Sequence, residues 1–172
     1  IEYMKIPAEK AAGYEKPMNF AKWGTDVSLS DKANHAKVVM SSYQTVDYVY
    51  SPANKGYLRY QYNGERHIDS TTGEQLCFRN VIVMFTETGA IPNDAKSRIW
   101  INTTGEGSGW YITDGGYKKI IWKKENHDSP ITYFYEDGTE VELNRGKTMI
   151  NVVPSYNSGD IVFDNSFTDT AD

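Results

Sequence analysis

The chain has 172 residues, enough for one domain with at most a short extension, and a domain of ~150 residues hides about two-thirds of its extended surface. Its net charge is −5, and its 18 Lys and Arg residues form no stripe along the sequence, which argues against a nucleic-acid partner. No polybasic segment suits an anionic bilayer, no apolar run approaches the ~20 residues of a membrane span, and no secretory leader is visible. The sequence opens at Ile1 without an initiator Met, so it reads as a processed product or a fragment.

Residues 4–16 read as a short helix: Pro7 suits a first turn, Ala8, Ala11 and Ala12 are strong helix formers, and Gly13 is a stop. Residues up to 36 read as an irregular linker arm, with Phe20 and Trp23 as anchors. From 37 the pattern changes to short strands bounded by turn residues. Lys37–Ser42, Val46–Tyr50 and Tyr57–Tyr62 are strand-like, and Asn63-Gly64 is a strong hairpin signal, because both central residues of a type I′ turn need φ > 0. The run Val81-Ile82-Val83-Met84-Phe85 reads as a central strand buried on both faces. Arg98–Asn102 reads as a strand with Ile99 and Ile101 on one face and Trp100 on the other. Gly105-Glu106-Gly107-Ser108-Gly109 reads as a glycine-rich turn, ahead of strands at Trp110–Thr113 and Tyr117–Lys124. Asp137-Gly138 then joins Ile131–Tyr135 to Glu140–Leu143, and Thr148–Val153 closes the domain at Pro154. Residues 155–172 read as an extended arm able to add one edge strand through Ile161-Val162-Phe163.

About ten strands at spacings of 8–12 residues suggest an antiparallel sandwich or a partly open barrel. The expected organisation is a helix and arm over 1–36, an all-β domain over 37–154, and a C-terminal arm over 155–172. The 13% aromatic content has two readings: side chains suited to half-buried strands, or a surface that stacks on sugars or peptides.

The densest cluster of chemistry-bearing residues is the 57–69 hairpin. A two-residue turn would place Tyr60, Tyr62, His67 and Asp69 on one face and Tyr57, Arg59, Gln61, Arg66 and Ile68 on the other. His67 and Asp69 could then act as a proton-transfer pair, or the cluster could only fix strand register. A bulge at Gly64 would reverse that parity. Cys77, the one cysteine, lies in an apolar run and reads as a buried, inert thiol. His35, His67 and His127 are too dispersed for a zinc site, and His67-x-Asp69 offers two ligands where zinc takes three or four. No cofactor motif and no Gly-x-Ser-x-Gly elbow is present.

The order Tyr57-x-Arg59, Gly64-x-x-His67-x-Asp69 and Leu76-x-x-x-Asn80-Val81-Ile82-Val83 resembles the C-terminal half of the YerB-like lipoproteins of Gram-positive bacteria, a family of unknown function. Gly107-x-Gly109-x-Tyr111, Asp114-Gly115, Trp122-Lys123-Lys124, Asp137-Gly138 and Gly146-Lys147-Thr148-x-Ile150 continue the likeness, which spans about residues 46–154. The resemblance implies an extracytoplasmic protein held to the cell membrane by a lipid anchor that this chain lacks. The arm at 1–40 looks like the end of the family's preceding domain. Two departures stand out: the lipidated cysteine and larger N-terminal domain are absent, and Val46-Asp47-Tyr48-Val49-Tyr50 replaces a strand that a Trp often precedes.

The leading expectation is a non-catalytic binding or interaction domain of the cell envelope. Tyr57, Arg59, Tyr60, His67, Asp69, Asn80 and Trp110 are its candidate ligand-binding residues, with Trp100 nearby. Cell-wall glycan, cell-wall peptide and the protein's own N-terminal domain are the candidate partners. The alternatives are an enzyme acting on cell-wall polymer, with His67 as general base and Asp69 orienting it, and a structural domain packed on its N-terminal partner.

Overall fold

The structure, a computed structural model, describes residues 18–62 and 64–167; the helix expected over 4–16 lies outside the described residues. Strands dominate. The first five are β1 (Asp31–Lys32), β2 (His35–Ser41), β3 (Gln44–Ser51), β4 (Gly56–Gln61) and β5 (Glu65–Arg66). Then come β6 (Cys77–Phe78), β7 (Asn80–Thr86), β8 (Thr88–Ala90), β9 (Ile99–Ile101) and β10 (Gly105–Thr113). The last four are β11 (Gly116–Lys124), β12 (Thr132–Phe134), β13 (Thr148–Pro154) and β14 (Val162–Asp164). One sheet runs β1-β11-β10-β7-β13, with β12 also on β11. The second runs β14-β2-β3-β4-β5, with β6 also on β4. Strands β8 and β9 form a separate two-stranded ribbon.

The two large sheets remain open and pack as a sandwich, as the strand rhythm predicts. The sheets are not wholly antiparallel: β13 pairs with β7 in parallel, Met149 beside Val81 and Val153 beside Phe85. All of β7 is buried. Alternation sends Val81, Val83 and Phe85 into the core between the sheets, against Val38, Val46 and Tyr48. Ile82 and Met84 point the other way, into a second core with Tyr111, Ile120 and Trp122. That second core needs its own cover. Val141 and Leu143 supply part of it and Leu29 another part. Ala21 N–H donates to Leu143 O at 2.9 Å and Leu143 N–H to Asn19 O at 2.8 Å. The stretch expected to be a linker arm is therefore a packing layer, and its buried anchors are Ala21 and Leu29, while Phe20 and Trp23 stay exposed. The strand expected at Glu140–Leu143 is reduced to two isolated bridges, Glu140 to Phe134 and Leu143 to Phe20, with Val141 and Leu143 buried in the second core.

The glycine-rich turn expected at 105–109 is instead the first half of β10. The reason is close approach rather than turning. A Cβ on Gly109 would sit 2.3 Å from Val83 O, and one on Gly107 would sit 2.6 Å from Trp122 Nε1. The reversal between β10 and β11 falls at Asp114-Gly115, both with positive φ and flanked by the pair Thr113 and Gly116, the two-residue form.

Strand β14 docks antiparallel on the edge of β2, and a buried histidine fastens it. His35 Nε2 lies 2.8 Å from Asp47 Oδ1 and Nδ1 lies 2.9 Å from Asp164 Oδ1. Phe167 packs against the imidazole and against Tyr60, at centroid distances of 4.9 and 4.8 Å. Burial pulls the His35 pKa down, but hydrogen bonds and charge from the two carboxylates outweigh it, and the net displacement is upward from 6.5. Asp164 is held below its ordinary 3.8, first by the Ser166 N–H and then by His35.

His35 binds its proton more tightly folded than unfolded, so its contribution is complete below pH 6.5 and is lost as pH rises through the raised value. Asp164 contributes above 3.8 and its share is lost as pH falls through its lowered value. Urea unfolding followed from about pH 5 to 9 is expected to lose midpoint on the alkaline side in the native chain, and to lose less of it in His35→Gln. Gly109→Ala, forced against the Val83 carbonyl, is expected to cost about 1–3 kcal/mol. Gly159→Ala, with open space around it, should stay within about 0.5 kcal/mol in the same measurement.

Candidate functional site

The 57–69 hairpin does not adopt the register that a two-residue turn would give. Gln61 pairs with Glu65 and Tyr60 with Arg66, so three residues separate the paired ends. Tyr62 and Gly64 both have positive φ, 47° and 96°. The extra residue reverses the parity of the returning strand. His67 therefore meets Arg59 rather than Tyr60: its N–H donates to Arg59 O at 3.0 Å, and Arg59 Nη1 donates to His67 Nδ1. Burial and the guanidinium charge both lower the His67 pKa, burial more. Asp69 does not orient His67. Its Oδ1 accepts from Thr71 N at 2.8 Å and Thr72 N at 3.4 Å, an Asx turn that holds the carboxylate below its ordinary pKa.

The remaining candidates are spread through the sandwich. Tyr57 is fully buried between the sheets, its OH donating to Gly116 O at 3.4 Å, and burial raises its pKa. Tyr60 is buried on the opposite face of β4, under Phe167. Arg59 is buried beside His67 and Gln61. Trp110 is half-buried on β10, edge-on to Tyr117 and Phe163, which stack on each other at 3.9 Å.

Asn80 is fully buried at the start of β7. Its Nδ2 donates to Asn144 O at 2.7 Å and Thr148 Oγ1 at 3.0 Å. Its Oδ1 accepts from Tyr111 OH at 3.0 Å and from Asn144 N–H at 3.1 Å. Asn144 in turn clasps Val27 through both its amide atoms, at 2.7 and 2.8 Å. This network satisfies the polar groups of the outer core and ties the 18–30 layer to the sheet. Asn80, Asp69 and the Arg59–His67 pair thus each have partners within the fold. Among the described residues, no three His, Cys, Asp or Glu side chains are grouped to hold one metal ion.

What the chain does present is the β8–β9 ribbon. Thr88 pairs with Ile101, Gly89 with Trp100 and Ala90 with Ile99. Trp100 lies across Gly89, where a Cβ would come within 2.7 Å of the indole. Ile99, Trp100 and Ile101 are 55%, 44% and 46% exposed, and Ile91 joins them. Thr86 Oγ1 donates to Asn102 O at the base of the ribbon. At the far end Asp94 grips Arg98, Oδ1 accepting from Nη2 at 2.7 Å and Oδ2 from the backbone N–H at 2.7 Å. The Arg98 contacts hold the Asp94 carboxyl below its ordinary pKa. Ile-Trp-Ile has the composition of a core strand, so the sequence carries no signal that all three would face water.

The profile described as a protein of unknown function (DUF3048), C-terminal domain, matches residues 36–150. Among solved structures, the YerB protein from Bacillus subtilis is similar at 24% identity with a TM-score of 0.61. The likeness covers 73% of this chain and 42% of that one, so this chain spans less than half the length of that relative. A search of curated proteins finds no match. On the profile match, which takes in most of the sandwich, the chain belongs to the DUF3048 C-terminal domain family.

Proposed function

We propose that this chain is a non-catalytic interaction domain of an extracytoplasmic, lipid-anchored protein, and that the β8–β9 ribbon is its contact surface. The observation that carries this reading is the exposure of Ile91, Ile99, Trp100 and Ile101 on one two-stranded element. Clustered apolar side chains of this kind mark interaction sites. A short ribbon with open strand edges suits a polypeptide partner that can add main-chain pairing to side-chain contact. The Asp94–Arg98 grip holds the loop before binding, which reduces the entropy that association must offset.

The chemistry-bearing groups support a non-catalytic role. A general base needs an orienting partner, and His67 has a guanidinium beside it while Asp69 caps a turn. The extracytoplasmic setting and lipid anchor rest on the YerB-like resemblance. Among the described residues no helix is long and apolar enough to cross a membrane. The favoured partner is the polypeptide that precedes this domain in the longer family members. A second reading, cell-wall glycan, is favoured by the Trp100 indole, which is laid flat over Gly89 with part of its surface open.

The test uses the double variant Trp100→Ala/Ile101→Ser, with binding measured to that preceding polypeptide and to purified cell-wall sacculi. Buried tryptophan anchors carry about 2 kcal/mol or more at an interface, so affinity for the true partner should fall about 30-fold. Trp100 is half-covered by its packing on Gly89, so stability is expected to fall by about 1–2 kcal/mol, and urea unfolding checks that the variant is still folded. Unchanged affinity for both partners would remove the ribbon from the account.

A further inference from the structure

The 18 Lys and Arg residues look dispersed in the sequence, but folding gathers four of them. Lys55 from the β3–β4 loop, Arg79 before β7, and Arg145 and Lys147 before β13 line one open cleft of about 480 Å³. Asp26 from the 18–30 layer also lines it. The size suits a small anion carrying an organic group.

Arg79 is the fixed point. Its side chain is only 10% exposed. Nη1 donates to Lys55 O at 2.8 Å and reaches Asp114 Oδ1 at 3.4 Å. Nη2 is buried and, among the described residues, makes no hydrogen bond. Asp26 Oδ1 lies 3.0 Å from it as an ion pair without hydrogen-bond alignment. Gly146 leaves the space that Arg79 occupies: its φ is 144°, and a Cβ there would come within 2.7 Å of Arg79 Cβ. Arg145 lines the cleft, its Nε donating to Ala21 O at 2.9 Å and its guanidinium 5.8 Å from the Trp23 ring centre.

The charges set the kind of ligand. Four cations face three carboxylates, Asp26, Asp114 and, beside Lys147, Asp69; with Asp26 displaced, two positive charges are left for the ligand. A phosphate monoester carries about −1.5 to −2 near neutral pH, whereas a carboxylate or a phosphodiester carries one negative charge. Guanidinium groups bind such oxyanions through paired N–H donors. Asp26 bridges Arg79 and Lys55, at 3.0 and 3.6 Å, while its own side chain is 55% exposed. A carboxylate so placed is a displaceable occupant of an anion site.

We propose that this cleft binds a phosphate dianion, free or as a phosphomonoester, and that Asp26 occupies the site until the ligand displaces it. This goes beyond the interaction reading and stands independently of the β8–β9 ribbon.

The test is calorimetric titration of the 172-residue chain with inorganic phosphate and with glycerol 3-phosphate, at ionic strength fixed with chloride. Saturable binding is expected. Arg145→Gln and Lys147→Gln should each weaken it about tenfold, the loss of one charge-assisted contact. Asp26→Asn should tighten it. Binding seen only in Asp26→Asn also supports the proposal, because it identifies the masking group. Tighter binding of glycerol 3-phosphate assigns the site to a phosphomonoester, and tighter binding of inorganic phosphate assigns it to the free ion. Diethyl phosphate and acetate, both monoanions, should bind at least tenfold more weakly. Absence of saturable binding in both the native chain and Asp26→Asn overturns the proposal. So does equal binding of the monoanions, or affinity untouched in both Arg145→Gln and Lys147→Gln, with urea unfolding confirming that each variant is folded.

Discussion

Strand β7 meets water on neither face, and the architecture follows from covering it. A strand of Asn80-Val-Ile-Val-Met-Phe-Thr buries apolar side chains in both directions, so it needs a layer above and a layer below. The second sheet is one layer. The other is assembled from irregular chain at 18–30 and 139–144, which brings its own backbone polar groups into the interior. The Asn80–Asn144 network supplies their partners. Burial of β7 and the cost of an unpaired polar group thus account together for why these asparagines are internal.

The same constraint shapes the neighbours of β7. Strand β10 must approach closely enough for its glycines to lie against Val83 O and beneath Trp122. Trp122 Nε1 donates to Phe85 O at 2.9 Å, so the indole fills the space Gly107 leaves and satisfies a carbonyl near the end of β7. In the second sheet, His35 between Asp47 and Asp164 holds β14 in place. His35 and Asn80 are thus polar side chains that the fold uses to close its own seams.

Much of the architecture is readable from sequence, because period-two alternation and turn residues act locally. The β7 run appears where its residues imply, and the turn expected over 114–116 tightens to Asp114-Gly115, with Gly116 inside β11. The failures have physical causes. Tyr62-Asn63-Gly64 contains a strong two-residue signal, yet the paired ends lie three residues apart with Tyr62 in the left-handed region, and one residue moves His67 to the other face. Gly105 to Gly109 resembles a turn because glycine serves both turning and close packing, and only the neighbouring strand distinguishes them. The burial of Asn80 and Tyr57 is not legible in sequence, because burial is a property of the assembled sheet. The basic cleft draws on residues 55, 79, 145 and 147, which no local window connects.

In the proposed reading, contact with a partner falls on the β8–β9 ribbon, while Arg59, His67 and Asp69 of the 57–69 hairpin are engaged within the fold. Hydrogen exchange of the chain with and without its partner, read segment by segment, tests this most directly. The account requires residues 88–101 to exchange readily in the free chain and to gain protection on binding, with 57–69 unaltered. Protection gained at 57–69, with 88–101 left as they were, would contradict it.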